Sequence, residues 1–312
     1  MFDIRRYTAE AAREWNGFVA RSKNGTFLFD RGYMDYHSDR FHDHSLMFYL
    51  DGNLFALLPA NAEGERFCSH RGLSYGGVVT TEKMTAERMQ QLFRELNDYL
   101  RIQGFRSVFY KPVPHIFHQL PAEEDVFSLY SVCDARLADR SLSATVTLSQ
   151  PLKWSYGRRY GARKARRHGV AVGESTDWTA FWRVLEENLM QRYGAKPVHT
   201  LHEMELLRGR FPEQIRLFTA VRDGRVVAGT VIYVTPVVVH TQYISASTEG
   251  KQLCALDALF DHVLHECSWP ARYFDFGTSN GPDGHELVQP LIFQKEGFGG
   301  RGICYDRYEW TL

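Results

Sequence analysis

Apolar positions along the chain follow a helical rhythm and a strand rhythm, and their order is used twice. In the first half, Ala12, Trp15, Phe18 and Val19 recur at helical spacing and predict a helix over residues 9–21, with Thr8 as its N-cap. A short helix is expected after Asp30. The run Leu46-Met47-Phe48-Tyr49-Leu50, the pair Asp51-Gly52 and the apolar stretch 53–60 read as a hairpin, because such a turn needs positive φ at its centre. A third strand fits 66–73. Met89, Leu92, Phe93, Leu96, Tyr99 and Leu100 mark one face of a helix at 86–103 that Gly104 stops, and a strand at 107–111 ends before Pro112.

The second half repeats the order. Trp178, Phe181, Trp182, Leu185 and Leu189 line one face of a helix at 178–192, and Thr200-Leu201-His202-Glu203 reads as a capping box opening another. Strands fit 215–221 and 225–234 around Asp223-Gly224, and a third covers 237–246. A helix at 251–265 and a strand at 273–277 follow. Asp51 recurs at Asp223, Trp15 at Trp182 and Phe109 at Phe274, at offsets of 172, 167 and 165. The pattern implies a duplicated mixed α+β fold of two tandem domains, 1–140 and 141–312, each a largely antiparallel sheet flanked by helices.

Composition narrows the class. The 312 residues carry 37 Lys+Arg against 37 Asp+Glu and are 44% hydrophobic, which excludes a disordered chain. No stretch approaches the roughly 18 apolar residues of a membrane span, and the N-terminus opens no apolar leader. Cys68, Cys133, Cys254, Cys267 and Cys304 are scattered, as expected of reduced thiols in a cytoplasmic protein. Zero net charge argues against a dedicated nucleic-acid binder. The exception is the stretch 153–168, expected as an inter-domain linker, where seven Lys/Arg residues crowd together with Tyr156 and Tyr160 between them.

Three familiar patterns fail on context. Gly297-Phe298-Gly299-Gly300-Arg301-Gly302 has the spacing of a dinucleotide loop, but only ten residues follow Gly302. Gly277-Thr278-Ser279-Asn280-Gly281 resembles a nucleophile elbow, but Pro282 obstructs the helix that must follow. His37, Asp39, His42, Asp43 and His44 lack the spacing of a metal-binding helix, so no metal is expected.

A splayed strand followed by a helix N-terminus makes an anion site. In the second half that junction is Ser245-Ala246-Ser247-Thr248-Glu249-Gly250-Lys251-Gln252. With Gln242-Tyr243-Ile244-Ser245-Ala246, Phe274-Asp275-Phe276-Gly277-Thr278-Ser279, Gln294-Lys295-Glu296-Gly297-Phe298-Gly299 and, in the first half, Arg71-Gly72-Leu73-Ser74-Tyr75-Gly76-Gly77, the chain resembles the GNAT N-acyltransferase superfamily. The tandem arrangement resembles its FemAB-like branch. The resemblance implies acyl or aminoacyl transfer from a CoA-type or tRNA donor to a small-molecule or peptide-like amine, with acetyl-CoA or another acyl-CoA as co-substrate. It implies donor contacts at Gln242, Ser245, Ser247, Gly250, Lys251 and Gln252. The superfamily's pyrophosphate loop reads Arg/Gln-x-x-Gly-x-Gly/Ala; aligned on Lys251, this chain has Cys254 and Leu256 at the small positions.

Amine acylation needs a proton acceptor, a stabilised oxyanion and two positioned substrates. Asp275, set between aromatics, is the expected base, with burial raising its pKa. Tyr243 can donate to the leaving group, and Lys295 and Arg301 can bind a phosphate or carboxylate. Arg163, Lys164 and Arg167 are expected either to grip substrate phosphates or to lie on a solvated inter-domain helix. Arg71, Tyr75 and Thr278 complete the substrate contacts that the resemblance implies. No heptad run is visible of the kind that tRNA-dependent FemAB enzymes carry as a long arm, which favours a CoA-type donor over tRNA. Two alternatives stand beside this reading. One is a binding protein without chemistry; the other is an aminoacyl-tRNA-dependent peptidyltransferase acting on a cell-wall precursor.

Overall fold

The computed structural model of the protein describes residues 1–281 and 284–312, with Tyr193 described by its backbone alone. Two compact units emerge. One comprises Met1–Ser141, Gly284, His285 and Cys304–Leu312, the other Leu142–Gly281 and Glu286–Ile303. No described helix is long and apolar enough to cross a membrane.

The first unit runs β1 (Asp3–Arg6), α1 (Ala12–Ala20), α2 (Arg31–Met34), β2 (Leu46–Leu50), β3 (Asn53–Leu58), β4 (Asn61–Glu63), β5 (Arg66–Cys68), β6 (Val79–Thr80), α3 (Ala86–Ile102), β7 (Ser107–Tyr110) and α4 (Glu124–Ser131), then enters β8 (Arg136–Thr147). Strands β1, β2, β3 and β6 form an antiparallel sheet. The β2–β3 turn places Asp51 and Gly52 at φ 51° and 76°, the geometry the sequence pair predicts. Thr85 caps α3 by accepting from the Arg88 amide, and Gly104 ends it at φ 85°. The apolar face of α3 buries Met89, Leu92, Phe93, Leu96 and Leu100 against Phe48, Phe67, Val108 and Tyr110. The third strand expected over 66–73 stops at Cys68, because His70 takes φ 56° and turns the chain away.

The second unit carries α5 (Tyr156–Arg167), β9 (Ala171–Glu174), α6 (Trp178–Tyr193), α7 (Leu201–Arg210), β10 (Ile215–Arg222), β11 (Arg225–Val234), β12 (Val238–Ala246), α8 (Thr248–Gln252), α9 (Ala255–His265), β13 (Tyr273–Thr278), α10 (Gln289–Gly297) and the start of β14 (Arg301–Thr311). The hairpin again turns on left-handed residues, Asp223 at 48° and Gly224 at 74°. The Thr200–Glu203 capping box forms in full at the start of α7. Strands β9 to β12 are antiparallel neighbours, β12 pairs parallel with β13, and β13 pairs antiparallel with the second half of β8. Phe260, Phe274 and Phe276 pack edge-to-face 5.0–6.2 Å apart in this core. Each such ring contributes roughly 1.5–3 kcal/mol on burial.

Three expectations change. The basic stretch is helical, as one of its two readings had it, but not a solvated linker: most of it is α5, which packs along α9 through Gly161, Ala162 and Ala165. Gly161 is required there, since a Cβ would lie 1.8 Å from the Asp257 carboxylate. The helix expected over 251–265 breaks into α8 and α9, because Cys254 adopts φ 60°. The last strand, expected with the second domain, returns residues Cys304–Leu312 to the first unit, where Tyr308, Glu309, Trp310 and Thr311 register against Tyr110, Phe109, Val108 and Ser107.

Candidate active site

Strands β12 and β13 stay together for three residue pairs only: Val238 with Tyr273, Val239 with Phe274, and His240 with Asp275. Beyond them β12 continues to Ala246 and β13 to Thr278 without pairing. Two irregularities sit at the parting. On β12, Val231 of β11 faces Tyr243 while Ile232 faces Thr241, so Gln242 is an extra, bulged residue. On β13, Gly277 takes φ 74° where the register with β8 slips. The result is a fork with His240 and Asp275 at its base.

Asp275 is fully buried. Its Oδ1 accepts from Ser143 Oγ at 2.5 Å and Thr145 Oγ1 at 2.6 Å. Its Oδ2 accepts from His240 Nδ1 at 2.7 Å and the Gly277 amide at 3.3 Å. Burial pushes this carboxyl up, but the His240 bond and charge, with the Ser143 and Thr145 hydroxyls, overcome it and hold it below the usual range. This corrects the expectation of a raised pKa. A carboxylate so stabilised is a poor base and a strong anchor. By fixing the Nδ1–H tautomer of His240, it leaves Nε2 as the ring nitrogen able to take a proton. The His240 side chain retains 16% exposure, enough to reach the fork. Sequence reasoning missed His240. The available signal was a histidine breaking the apolar run Val237-Val238-Val239, but its partner lies 35 residues away and only the parallel pairing supplies it.

Lys295 leaves α10 to donate to the carbonyls of Gly277 at 2.9 Å and Thr278 at 2.7 Å, tying down the β13 arm of the fork. Burial brings its ammonium down to about 8, with the charge of Asp275 opposing. Thr278 and Arg301 are exposed, and Arg301 bonds the neighbouring Gly300 carbonyl. On the β12 arm, the Tyr243 hydroxyl accepts from the His199 amide at 3.1 Å and meets His199 Nδ1 at 2.6 Å. Burial raises this phenol to about 12, so it stays protonated. Gln242 is half-buried, and Ser245 is buried with its hydroxyl donating to the Val184 carbonyl at 3.3 Å.

At the turn after β12, Ser247 caps α8 by accepting from the Gly250 amide at 3.0 Å. Gly250 is forced by space, because a Cβ would lie 2.1 Å from the Val227 carbonyl oxygen. Lys251 and Gln252 are exposed; Lys251 reaches Asn188 Oδ1 at 2.5 Å. Cys254, at the position where the superfamily loop has glycine, still adopts the left-handed conformation, with φ 60° and ψ 35°. The turn is thus left-handed although a non-glycine residue occupies it, and α9 opens at Cys254 without a side-chain cap. Helix α5 braces this turn. Arg158 pairs with Asp257 at 2.6 Å and Lys164 Nζ donates to the Gln252 carbonyl at 2.8 Å, while Arg163 and Arg167 point to solvent. Burial lifts Asp257 to about 6 against the pull of Arg158. Replacing Cys254 by Gly should raise stability by up to about 1 kcal/mol, since a non-glycine residue held left-handed is strained. Chemical denaturation checks this, and an unchanged midpoint would mean the turn carries no strain.

In the first unit, Tyr75 is a core residue: its hydroxyl pairs with Thr26 Oγ1 at 3.0 Å and its ring abuts Phe29 and Phe117. At 3% exposure it leaves little surface for the substrate contact expected of it. Arg71 lies on the exposed turn after β5. The histidine and aspartate cluster disperses, with Asp43 pairing Arg31 and His37 buried against Tyr36.

Residues 156–285 match the acetyltransferase (GNAT) domain family. No curated protein matches the sequence. Among solved structures, FemX aligns with 99% of this chain and 97% of its own at a TM-score of 0.68 and 11% identity. The C-terminal domain of a putative lysylphosphatidylglycerol synthetase from Agrobacterium fabrum aligns at 0.60 and 14%, covering 97% and 91%. A tandem GNAT protein from the clavulanic acid biosynthesis pathway aligns at 0.56 and 12%, covering 100% and 98%. These likenesses concern the fold. The family match assigns residues 156–285 to the acetyltransferase (GNAT) domain class, and the solved structures share a fold with this chain over nearly its whole length.

Proposed function

We propose that the second unit moves an acyl group from an acyl-CoA-type thioester to a primary amine in the fork between β12 and β13. The observation that carries this reading is the His240–Asp275 pair at the point where two parallel strands part. The amine nitrogen attacks the thioester carbonyl carbon, the C–N bond forms, the C–S bond breaks, and amide and thiol leave. His240 Nε2 takes the amine proton; Asp275 orients the imidazole and offsets the charge it gains. Tyr243, kept protonated, supplies a hydroxyl proton to the departing sulfur. The N-terminus of α9, which opens at Cys254 without a side-chain cap and presents the Ala255 and Leu256 amides in its first turn, suits the donor's pyrophosphate. The left-handed turn at Cys254, which leads directly into the N-terminus of α9, is compatible with a CoA-type donor in spite of the altered loop sequence. The aromatic pair Tyr156 and Tyr160, stacked 6.2 Å apart on α5 near this turn's bracing residues, suits the adenine end.

The test is thiol release from acetyl-CoA and longer acyl-CoAs in the presence of a panel of amines, with a thermal-shift titration of free CoA alongside. Amine-dependent thiol release is the expected result. Stabilisation by CoA with no turnover would sink catalysis in favour of a binding protein. Turnover with aminoacyl-tRNA and with no acyl-CoA would overturn the donor.

A further inference from the structure

The first unit holds a second polar constellation, away from its core. Strands β5, β7 and β14 bury one face, carrying Val108, Tyr110 and Trp310, with α3. The alternation of a strand sends Phe109 and Lys111 to the other face. One step past the pairing of Tyr308 with Tyr110, the antiparallel register sets Arg307 opposite Lys111. Lys111 is buried, and its ammonium is fixed by donating to the carbonyls of Leu73 and Arg71. The guanidinium groups of Arg66 and Arg71 each lie 4.9 Å from the Phe109 ring centre.

Neutralisation on this face is incomplete. Glu63 engages Arg71 at 3.3 Å, Asp139 pairs with Arg307, and Glu309 is divided between Arg66 and Arg136. Lys111 has no carboxylate of its own among the described residues. Burial, and then the charges of Arg307 and Arg71, bring its ammonium down to about 7; burial and Arg71 also lower Arg307. Like charges gathered on a half-buried face destabilise it unless an anion joins them.

We propose that this face of the first unit is an oxyanion-binding site, where Arg71, Lys111 and Arg307 receive the carboxylate or phosphate group of a small-molecule ligand. The two guanidinium forks supply paired donors and the ammonium a point charge. The site stands independently of acyl transfer in the second unit, since its evidence shares no residue with the fork.

The experiment is a thermal-shift titration of the full chain with sulfate, inorganic phosphate and acetate, each against chloride at equal ionic strength. A saturable stabilisation beyond that of chloride is expected. A response to sulfate and phosphate assigns a phosphate-type ligand, and one to acetate alone a carboxylate. Arg71→Gln and Arg307→Gln should each raise the apparent dissociation constant by about tenfold, the loss of one charge-assisted bond. Sulfate keeps its charge between pH 6 and 8.5, so tighter binding at the lower pH reports the lysine. The groups facing that lysine are Arg71, Arg307, Glu63, Cys68, whose thiol burial holds near 11, and His70, whose ring is pushed well below its usual range by burial and then by His37 and Lys111. Lys111→Met should abolish the pH dependence. A response equal to chloride's, or one that survives both Arg71→Gln and Arg307→Gln, overturns the proposal. If Arg307→Gln fails to fold for want of the Asp139 pair, the exposed Arg71→Gln decides it alone.

Discussion

His240→Ala should lower the acyl-transfer rate by about 10²–10⁴-fold, the contribution expected of a positioned general base. The effect should fall on kcat. The donor's apparent constant should move little, because the turn at Ser247–Cys254 lies on a different part of β12's continuation. The variant should fold with reduced stability, since Asp275 loses its His240 partner but keeps the Ser143, Thr145 and Gly277 donors. Added imidazole should restore part of the rate by filling the vacated space beside Gly277, whose Cβ position lies 3.4 Å from the ring. A rate unchanged by the substitution removes His240 from the mechanism. A loss of rate with no imidazole rescue would reduce it to a structural role.

Asp275→Asn is the second large effect, on rate and stability together. Four donors converge on the two oxygens of Asp275. Exchanging one oxygen for an amide nitrogen sets donors against donors in a fully buried place. The expected loss is about 3–5 kcal/mol, as when a buried ionic partner is removed. With it goes the orientation of His240, so kcat should fall by about 10-fold or more. Because the native carboxyl lies below the usual range, its contribution is complete above the pKa of the unfolded side chain. It is lost as the pH falls through the depressed native value. Denaturant titrations at neutral and acidic pH check the sign: the variant's deficit should shrink on acidification. If the Asp275→Asn variant cannot be purified folded, Thr145→Val, which removes one donor, should show a smaller loss of the same kind. Equal stability of both variants and the parent would refute the anchor.

Much of the fold was legible in the sequence, because it is encoded locally. Both Asp-Gly hairpins form at the predicted pairs, since only a narrow choice of residues accepts positive φ in succession. The α3 face and the Thr200 capping box followed from spacing alone. Asp275 stood out as a carboxylate among aromatics, but its pKa is shifted down rather than up. Desolvation is visible from neighbouring residues in sequence, whereas the hydroxyls of Ser143 and Thr145 come from a strand 130 and more residues distant.

The sequence by itself determined the repeated element order, the hairpin turns, the amphipathic helices and the basic stretch, because each depends on residues a few positions apart. The tertiary structure alone decided that β12 and β13 part beyond His240 and Asp275, and that the last strand rejoins the first unit. It also decided that α5 lies along α9 and that Lys111 meets Arg71 and Arg307. Each of these depends on strand register or close packing between distant segments, where one shifted residue turns a side chain to the opposite face.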